Sequence, residues 1–124
     1  MKFLLLFAFL VLLVNCTPPT RDCQRFHEGT FRFDAIVDGE EQTTVFTRTE
    51  NLEVSEYLGK KDSASIRWIN DCEYIVTNLN PQTPGEEKPI HMKILSTSED
   101  SYTFEYKLVG SSKSSRGTAN KMGE

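Results

Sequence analysis

The segment YTFEYKL, residues 102–108, alternates aromatic or aliphatic side chains with polar ones. Its apolar residues fall on one face of an extended chain and its polar residues on the other. A period of two residues is the pattern of a β-strand with one buried face. We therefore expect a strand here, and a sheet that extends from it in both directions along the chain.

Shorter runs of the same kind occur throughout the chain. They predict strands at residues 31–37, 43–49, 52–57, 64–68, 72–76 and 90–94. Residues 116–122 are either a short closing strand, which we favour, or a disordered tail. The pair Asp38-Gly39 is the strongest hairpin signal. Further turns are expected at 59–62, 70–71 and 97–101, and a mobile Ser-rich stretch is expected at 110–115. Together with 102–108 these runs predict an all-β, antiparallel up-and-down meander of about eight strands. We expect it to curl into a partial or closed barrel, because closure removes exposed edges; a flatter β-sandwich is the alternative.

One long connection, residues 80–89, contains three prolines. It is a candidate binding loop, since long ordered loops often carry function. A solvated connection with no role is the interpretation that the sequence favours.

The chain begins with Lys2 and an uncharged apolar run over residues 3–14. This run is shorter than the roughly 20 residues of a membrane-spanning helix, so it predicts a secretion signal over residues 1–15. The run Leu13-Val14-Asn15-Cys16 resembles a bacterial lipoprotein signal, which implies that Cys16 carries diacylglycerol, although Asn15 departs from the usual small residue. Residues 16–22, with two prolines, then form an extended spacer. The alternative is an ordinary signal peptide, with Cys16 unpaired or in a disulfide.

The remaining 109 residues, 16–124, carry a net negative charge, and after the spacer they form one small domain, which we place at 23–124. Removing Lys2 from the 14 Lys and Arg leaves 13 against 18 Asp and Glu, a formal net charge of −5. Because nucleic-acid recognition needs a basic face, no nucleic-acid partner is expected.

The chain has three cysteines, an odd number for an exported protein. Lipidation of Cys16 would leave Cys23 and Cys72 as a pair that could form a disulfide in an oxidising compartment. A zinc site of Cys23, His27, Cys72 and His91 is the alternative, but no Cys-x-x-Cys motif supports it, so no metal is predicted.

Only His27 and His91 could act as bases at neutral pH, and neither lies in a catalytic motif. We therefore predict no enzymatic activity and no cofactor. The aromatic side chains are either core or the lining of a ligand cavity, with core favoured because small barrels are usually filled by their own side chains: Phe31, Phe33, Trp68, Tyr74, Tyr102, Phe104 and Tyr106.

Three segments carry a family resemblance. They are residues 29–33, 68–74 and 117–121, and the most specific is Trp-Ile-Asn-Asp-Cys-Glu-Tyr at 68–74 combined with the earlier Cys23. They resemble small lipocalin-like lipoproteins from Bacteroidota, for which no ligand is established. The resemblance implies a lipocalin-like barrel in the bacterial cell envelope, anchored to the outer membrane on its periplasmic side. Some of these proteins bear the name DNA topoisomerase IV, but this acidic chain has no nucleotide-binding loop.

The sequence thus predicts a non-enzymatic envelope lipoprotein. We expect it to bind a small apolar ligand or an envelope protein through its barrel mouth and loops, with the lipid anchor as its membrane contact. A structural or assembly subunit of an envelope complex is the alternative, and an inhibitor or hydrolase is less favoured. A lined cavity would favour the first function, and a filled core with an exposed apolar patch the second.

Overall fold

A computed structural model describes residues 21–123, so the predicted signal over 1–15 and Cys16 lie outside the described residues. The elements are one short 3₁₀ helix, five strands, a second 3₁₀ helix and three further strands: η1 Gln24–Phe26, β1 Gly29–Val37, β2 Glu40–Arg48, β3 Leu52–Tyr57, β4 Lys60–Asn70, β5 Glu73–Asn78, η2 Gly85–Glu87, β6 Ile90–Thr97, β7 Ser101–Leu108 and β8 Ser115–Lys121. In this part of the chain, no helix is long and apolar enough to cross a membrane.

Each strand pairs antiparallel with the next, and β8 returns to pair with β1. The closing pairs include Phe31 with Lys121 and Phe33 with Ala119. The all-β antiparallel meander is therefore confirmed, and the barrel is closed rather than partial. The sandwich alternative is wrong, because β8 pairs with the free edge of β1 and closes the sheet.

Two of the tight turns show how backbone sterics shape the hairpins. Asp38 and Gly39 have φ values of 52° and 80°, which suits the right-handed twist of the strands, as predicted. The turn between β3 and β4 is formed by Leu58 and Gly59, with φ values of 51° and 77°, and not by residues 59–62 as predicted. Residues 60–62 already belong to β4 and pair with β3. The prediction missed this because a bulky residue such as leucine rarely adopts positive φ.

The end of the barrel that carries η1 is filled, and we call it the closed end. Phe26 of η1 is fully buried, with its ring centroid 5.2 Å from that of Tyr102. A disulfide joins Cys23, just before η1, to Cys72 in the turn between β4 and β5. The predicted pair is therefore confirmed, and the zinc alternative is wrong because the disulfide uses both of its thiols.

The opposite end, which we call the open end, carries the turns at 38–39 and 58–59 and the loops at 79–89 and 109–114. The predicted long loop contains η2, and the Glu86 carboxylate accepts the backbone N–H groups of Gln82 and Thr83. This loop therefore has local order of its own. The closing strand predicted at 116–122 is present as β8, one residue earlier.

Candidate ligand-binding site

A cavity of about 250 Å³ lies inside the barrel, between the closed-end core and the open end. Its walls are mainly aromatic and aliphatic, and its polar groups are few. The lining consists of Phe33, Thr44, Phe46, Arg48, Glu53, Ser55, Tyr74, Val76, Ile90, Met92, Tyr102, Phe104 and Tyr106.

Strand register places these side chains in the interior. Phe46 pairs with Ser55, and Arg48 with Glu53, so alternate residues of β2 and β3 face the same space. Gly117 of β8 makes room for the aromatic wall. A Cβ atom at this position would lie 2.5 Å from the Phe33 ring and 2.9 Å from the Phe104 ring. The absence of a side chain at Gly117 thus sets where both rings stand.

The seven aromatic residues predicted as core or lining divide into two groups. Phe31 and Trp68 lie outside the cavity lining, with Phe31 in the closed-end core and Trp68 packed against it. The other five line the cavity: Phe33, Tyr74, Tyr102, Phe104 and Tyr106. The expectation that aromatic side chains would fill the whole interior therefore holds for the closed half only.

Arg48 forms the floor of the cavity and was not predicted as a site residue. It is 1% exposed. Its Nη1 donates to the carbonyl oxygen of Phe26 at 2.7 Å, and its Nη2 donates to the hydroxyls of Tyr74 and Tyr102 at 2.8 and 2.9 Å. One guanidinium thus connects β2 with η1, β5 and β7.

Five aromatic rings surround this guanidinium. The Cζ atom of Arg48 lies between 4.7 and 5.9 Å from their centroids, within the range of cation–π attraction. Burial alone would lower the pKa of Arg48, but Tyr74, Tyr102 and Glu53 outweigh it and raise the pKa above its ordinary value. The guanidinium at the floor of the cavity therefore stays charged.

Glu53 is the nearest countercharge. Its Oε1 lies 3.4 Å from Nη2 of Arg48, longer than the bonds to the two tyrosines, and its side chain is 16% exposed. Burial raises the pKa of Glu53 in spite of Arg48, which lowers it. Burial likewise raises the pKa values of Tyr74 and Tyr102, so both hydroxyls keep their protons at neutral pH.

One donor at this floor is left over. The Nε of Arg48 is buried and makes no hydrogen bond with any described residue. A buried N–H without an acceptor is costly, and native proteins rarely keep one without a reason. The indole Nε1 of Trp68, packed beneath the floor, has no partner among the described residues either.

One pattern in the sequence could have located Arg48. One face of β2 carries Thr44, Phe46 and Arg48, and Phe46 on that face is apolar. Strand alternation then puts Arg48 inside the barrel, on the same face as Phe46. Because charged side chains usually face solvent, Arg48 was not predicted to lie inside the barrel.

The two histidines lie away from the cavity lining. His27 stacks on Trp68 with ring centroids 3.6 Å apart, and its Nε2 bonds with the Asp71 carbonyl oxygen at 2.7 Å. His91 pairs with Glu73 on the outer face at 3.1 Å. Within the described residues, neither histidine bonds with a Ser, Thr or Cys side chain. Nothing in these contacts assembles a nucleophile with a base.

A second pocket of about 330 Å³ adjoins the cavity toward the open end. It shares Val76 and Ile90 with the cavity and is otherwise bordered by the long loop and its neighbours, including Thr83, Glu86 and Lys88. The long loop, which the sequence offered only as a candidate for binding, thus lies beside the mouth of the cavity.

Comparison with known proteins finds no protein family, no curated protein and no solved structure that matches this chain. The site must therefore be interpreted from its own geometry.

Proposed function

We propose that this protein is a non-enzymatic binding protein of the bacterial cell envelope that holds one small, mainly apolar molecule inside its barrel. The observation that carries the proposal is the lined cavity of about 250 Å³. An apolar cavity of roughly 150 Å³ holds benzene, and drug-sized ligands occupy about 300–1,000 Å³. The ligand is therefore larger than benzene and smaller than a typical drug.

The location in the envelope is supported by the sequence. The predicted lipoprotein signal ends at Cys16, and residue 21 joins the described structure at the closed end, where Arg21 Nη1 donates to the Ile94 carbonyl oxygen at 2.9 Å. An anchor on Cys16 would thus attach the protein by its closed end and leave the cavity mouth free. The resemblance to lipocalin-like lipoproteins agrees with this arrangement.

Filling the cavity tests the binding function. Ser55 lines the cavity, whereas its neighbour Glu56 is exposed on the outer face. We expect Ser55→Trp to weaken binding of a neutral aromatic probe, naphthalene, by about tenfold or more, because the indole occupies the same space. The measurement is an NMR titration that follows the Met92 methyl group in the cavity wall.

Glu56→Trp is the matched control, and it should bind naphthalene as the wild type does. The proposal would be abandoned if the wild type showed no saturable binding of naphthalene or of the aliphatic probes used below. Equal affinity in Ser55→Trp and the wild type would place binding elsewhere on the protein.

A role as a subunit of an envelope complex is the second candidate. Apolar side chains exposed at the open end include Ile36 and Leu58 at 71%, Leu79 at 56% and Val109 at 51%. Such a rim could dock against a partner protein. If that is the function, replacing Leu58 and Val109 by Ser will abolish co-purification of an envelope protein while naphthalene binding is unchanged.

A further inference from the structure

We propose that the ligand is a small amphipathic carboxylic acid, bound with its carboxylate at Arg48 and its apolar tail directed toward the open end. This inference rests on the proposed function and specifies its ligand. It follows from the balance of donors and acceptors at the cavity floor, from the charge there and from the shape of the walls.

The floor has more hydrogen-bond donors than acceptors. Arg48 carries five N–H groups, and its Nε finds no acceptor among the described residues. Tyr74 and Tyr102 each accept an N–H from Arg48, and the two hydroxyls are hydrogen-bonded to each other, which leaves one of their O–H groups free to donate. A carboxylate accepts several hydrogen bonds and donates none, and it matches a guanidinium in geometry. It is therefore the head group that this floor lacks.

The charge of the floor points in the same direction. Arg48 and Glu53 are the two charged side chains of the cavity lining. Arg48 stays protonated, and Glu53 is either ionised or neutral, so the net charge of these two groups is zero or plus one and never negative. A cationic ligand would be repelled by Arg48, and its one possible partner, Glu53, already pairs with that guanidinium.

Glu53 competes with the ligand for Arg48, but its hold is weak. The Oε1 to Nη2 distance of 3.4 Å is at the limit of a hydrogen bond, while the tyrosine hydroxyls lie at 2.8 and 2.9 Å. Burial raises the pKa of Glu53 in spite of Arg48, so protonating this acid costs less here than in water. Because Glu53 is held weakly, an incoming carboxylate can take over the countercharge role at Arg48.

A purely structural role for Arg48 leaves part of this arrangement unexplained. Its bond to the Phe26 carbonyl oxygen holds η1, and its bonds to Tyr74 and Tyr102 join two strands. Those contacts use Nη1 and Nη2 and leave Nε buried without a partner among the described residues. Above the floor, the walls are apolar, as a ligand tail requires: Phe33, Phe46, Val76, Ile90, Met92 and Phe104.

The test compares three ligands that share an eight-carbon chain and differ in the head group: octanoate, 1-octanol and octylamine. All three are titrated into the wild-type protein at neutral pH, and binding is followed by calorimetry and by the ¹⁵Nε–¹Hε resonance of Arg48. We expect octanoate to bind about tenfold or more tightly than 1-octanol, because hydrogen bonds to a charged acceptor are stronger than those to a neutral one. Octylamine should bind more weakly than either.

Two variants separate the head-group site from the cavity. Glu53→Gln should strengthen octanoate binding more than 1-octanol binding, because it removes the competing carboxylate. Glu56→Gln on the outer face is its control and should bind both probes as the wild type does. Arg48→Met should erase the preference for octanoate over 1-octanol. If Arg48→Met does not fold, the wild type and Glu53→Gln carry the comparison on their own.

The outcomes distinguish failure of this inference from failure of the proposed function. If octanoate and 1-octanol bind equally well, or if octanoate leaves the Arg48 Nε–H resonance unmoved, the carboxylate assignment is wrong and the binding function stands. Weaker octanoate binding in Glu53→Gln would also overturn the assignment. If no probe binds, naphthalene included, the proposed function itself fails.

Discussion

Burying Arg48 opposes folding, because a guanidinium that leaves water loses several kcal/mol of hydration free energy. The structure offsets this loss with three good hydrogen bonds, five surrounding rings and one carboxylate. Apolar residues of similar volume often stabilise a core as well as a buried ion pair does. Stability alone therefore does not account for Arg48, which agrees with the proposed role of its guanidinium in ligand binding.

The raised pKa of Glu53 makes stability depend on pH in a direction opposite to that of most acids. The folded protein keeps a proton on Glu53 at pH values where the unfolded chain, with its ordinary value of 4.5, has released it. The contribution of Glu53 to stability is thus full below pH 4.5 and is lost as pH rises through the folded pKa. The groups that face Glu53 are Arg48, Tyr74 and Tyr102.

We predict that Glu53→Gln gains stability relative to the wild type as the pH rises. Each unit by which the folded pKa exceeds 4.5 adds about 1.4 kcal/mol to this difference, since glutamine never ionises. Urea unfolding of both proteins between about pH 4 and about pH 8 measures it. The exposed Glu56→Gln variant should show no such trend. A difference that stays flat, or that falls with pH, would contradict the raised pKa.

At the level of elements, η1 closes the barrel and was the main feature that the sequence did not predict. A helix of three residues has no periodicity to detect, and the position of Phe26 under the barrel depends on contacts with residues far along the chain. The strands, by contrast, follow from local alternation. The element order and the Asp38-Gly39 hairpin were predicted correctly. The turn between β3 and β4 was predicted one residue too late, because Leu58 adopts a positive φ value that bulky residues rarely have.

The disulfide links η1 to the turn between β4 and β5, and we predict that its removal destabilises the whole domain. The bridge spans 49 residues, which corresponds to about 4 kcal/mol in the chain-entropy estimate. Cys23→Ser combined with Cys72→Ser should therefore lower the free energy of unfolding by about that amount in urea denaturation. Amide exchange at Phe26 should also accelerate, because η1 loses its covalent tether. Wild-type protein treated with a thiol reductant is the control and should match the double variant, and a loss below about 1 kcal/mol would contradict the prediction.

For the molecule as a whole, closure of the sheet fixes where a ligand can enter. The closed end is occupied by η1 and its aromatic core, so the cavity can be reached from the other end, where the 79–89 loop borders the mouth. Sequence patterns predicted a partial or closed barrel and left open whether its aromatic side chains form a core or line a cavity. The cavity depends on how large and small side chains from different strands are matched, such as Gly117 opposite Phe33 and Phe104, and that matching is set by register.

The lipid anchor predicted at Cys16 gives the molecule an orientation on the membrane. Arg21 lies five residues later in sequence, a maximum reach of about 18 Å, which is shorter than the barrel wall spanned by strands such as the nine-residue β1. The closed end should therefore face the membrane and the mouth should face away from it. A fluorescent side chain in place of Glu99, in the closed-end turn between β6 and β7, should be quenched strongly by lipids that carry a nitroxide head group. The same side chain in place of Lys113, in the open-end loop, should be quenched weakly. The Cys16→Ser variant controls for anchoring and should show little quenching at either position. Equal or reversed quenching in the anchored protein would mean that the mouth contacts the membrane and that ligands enter from the bilayer.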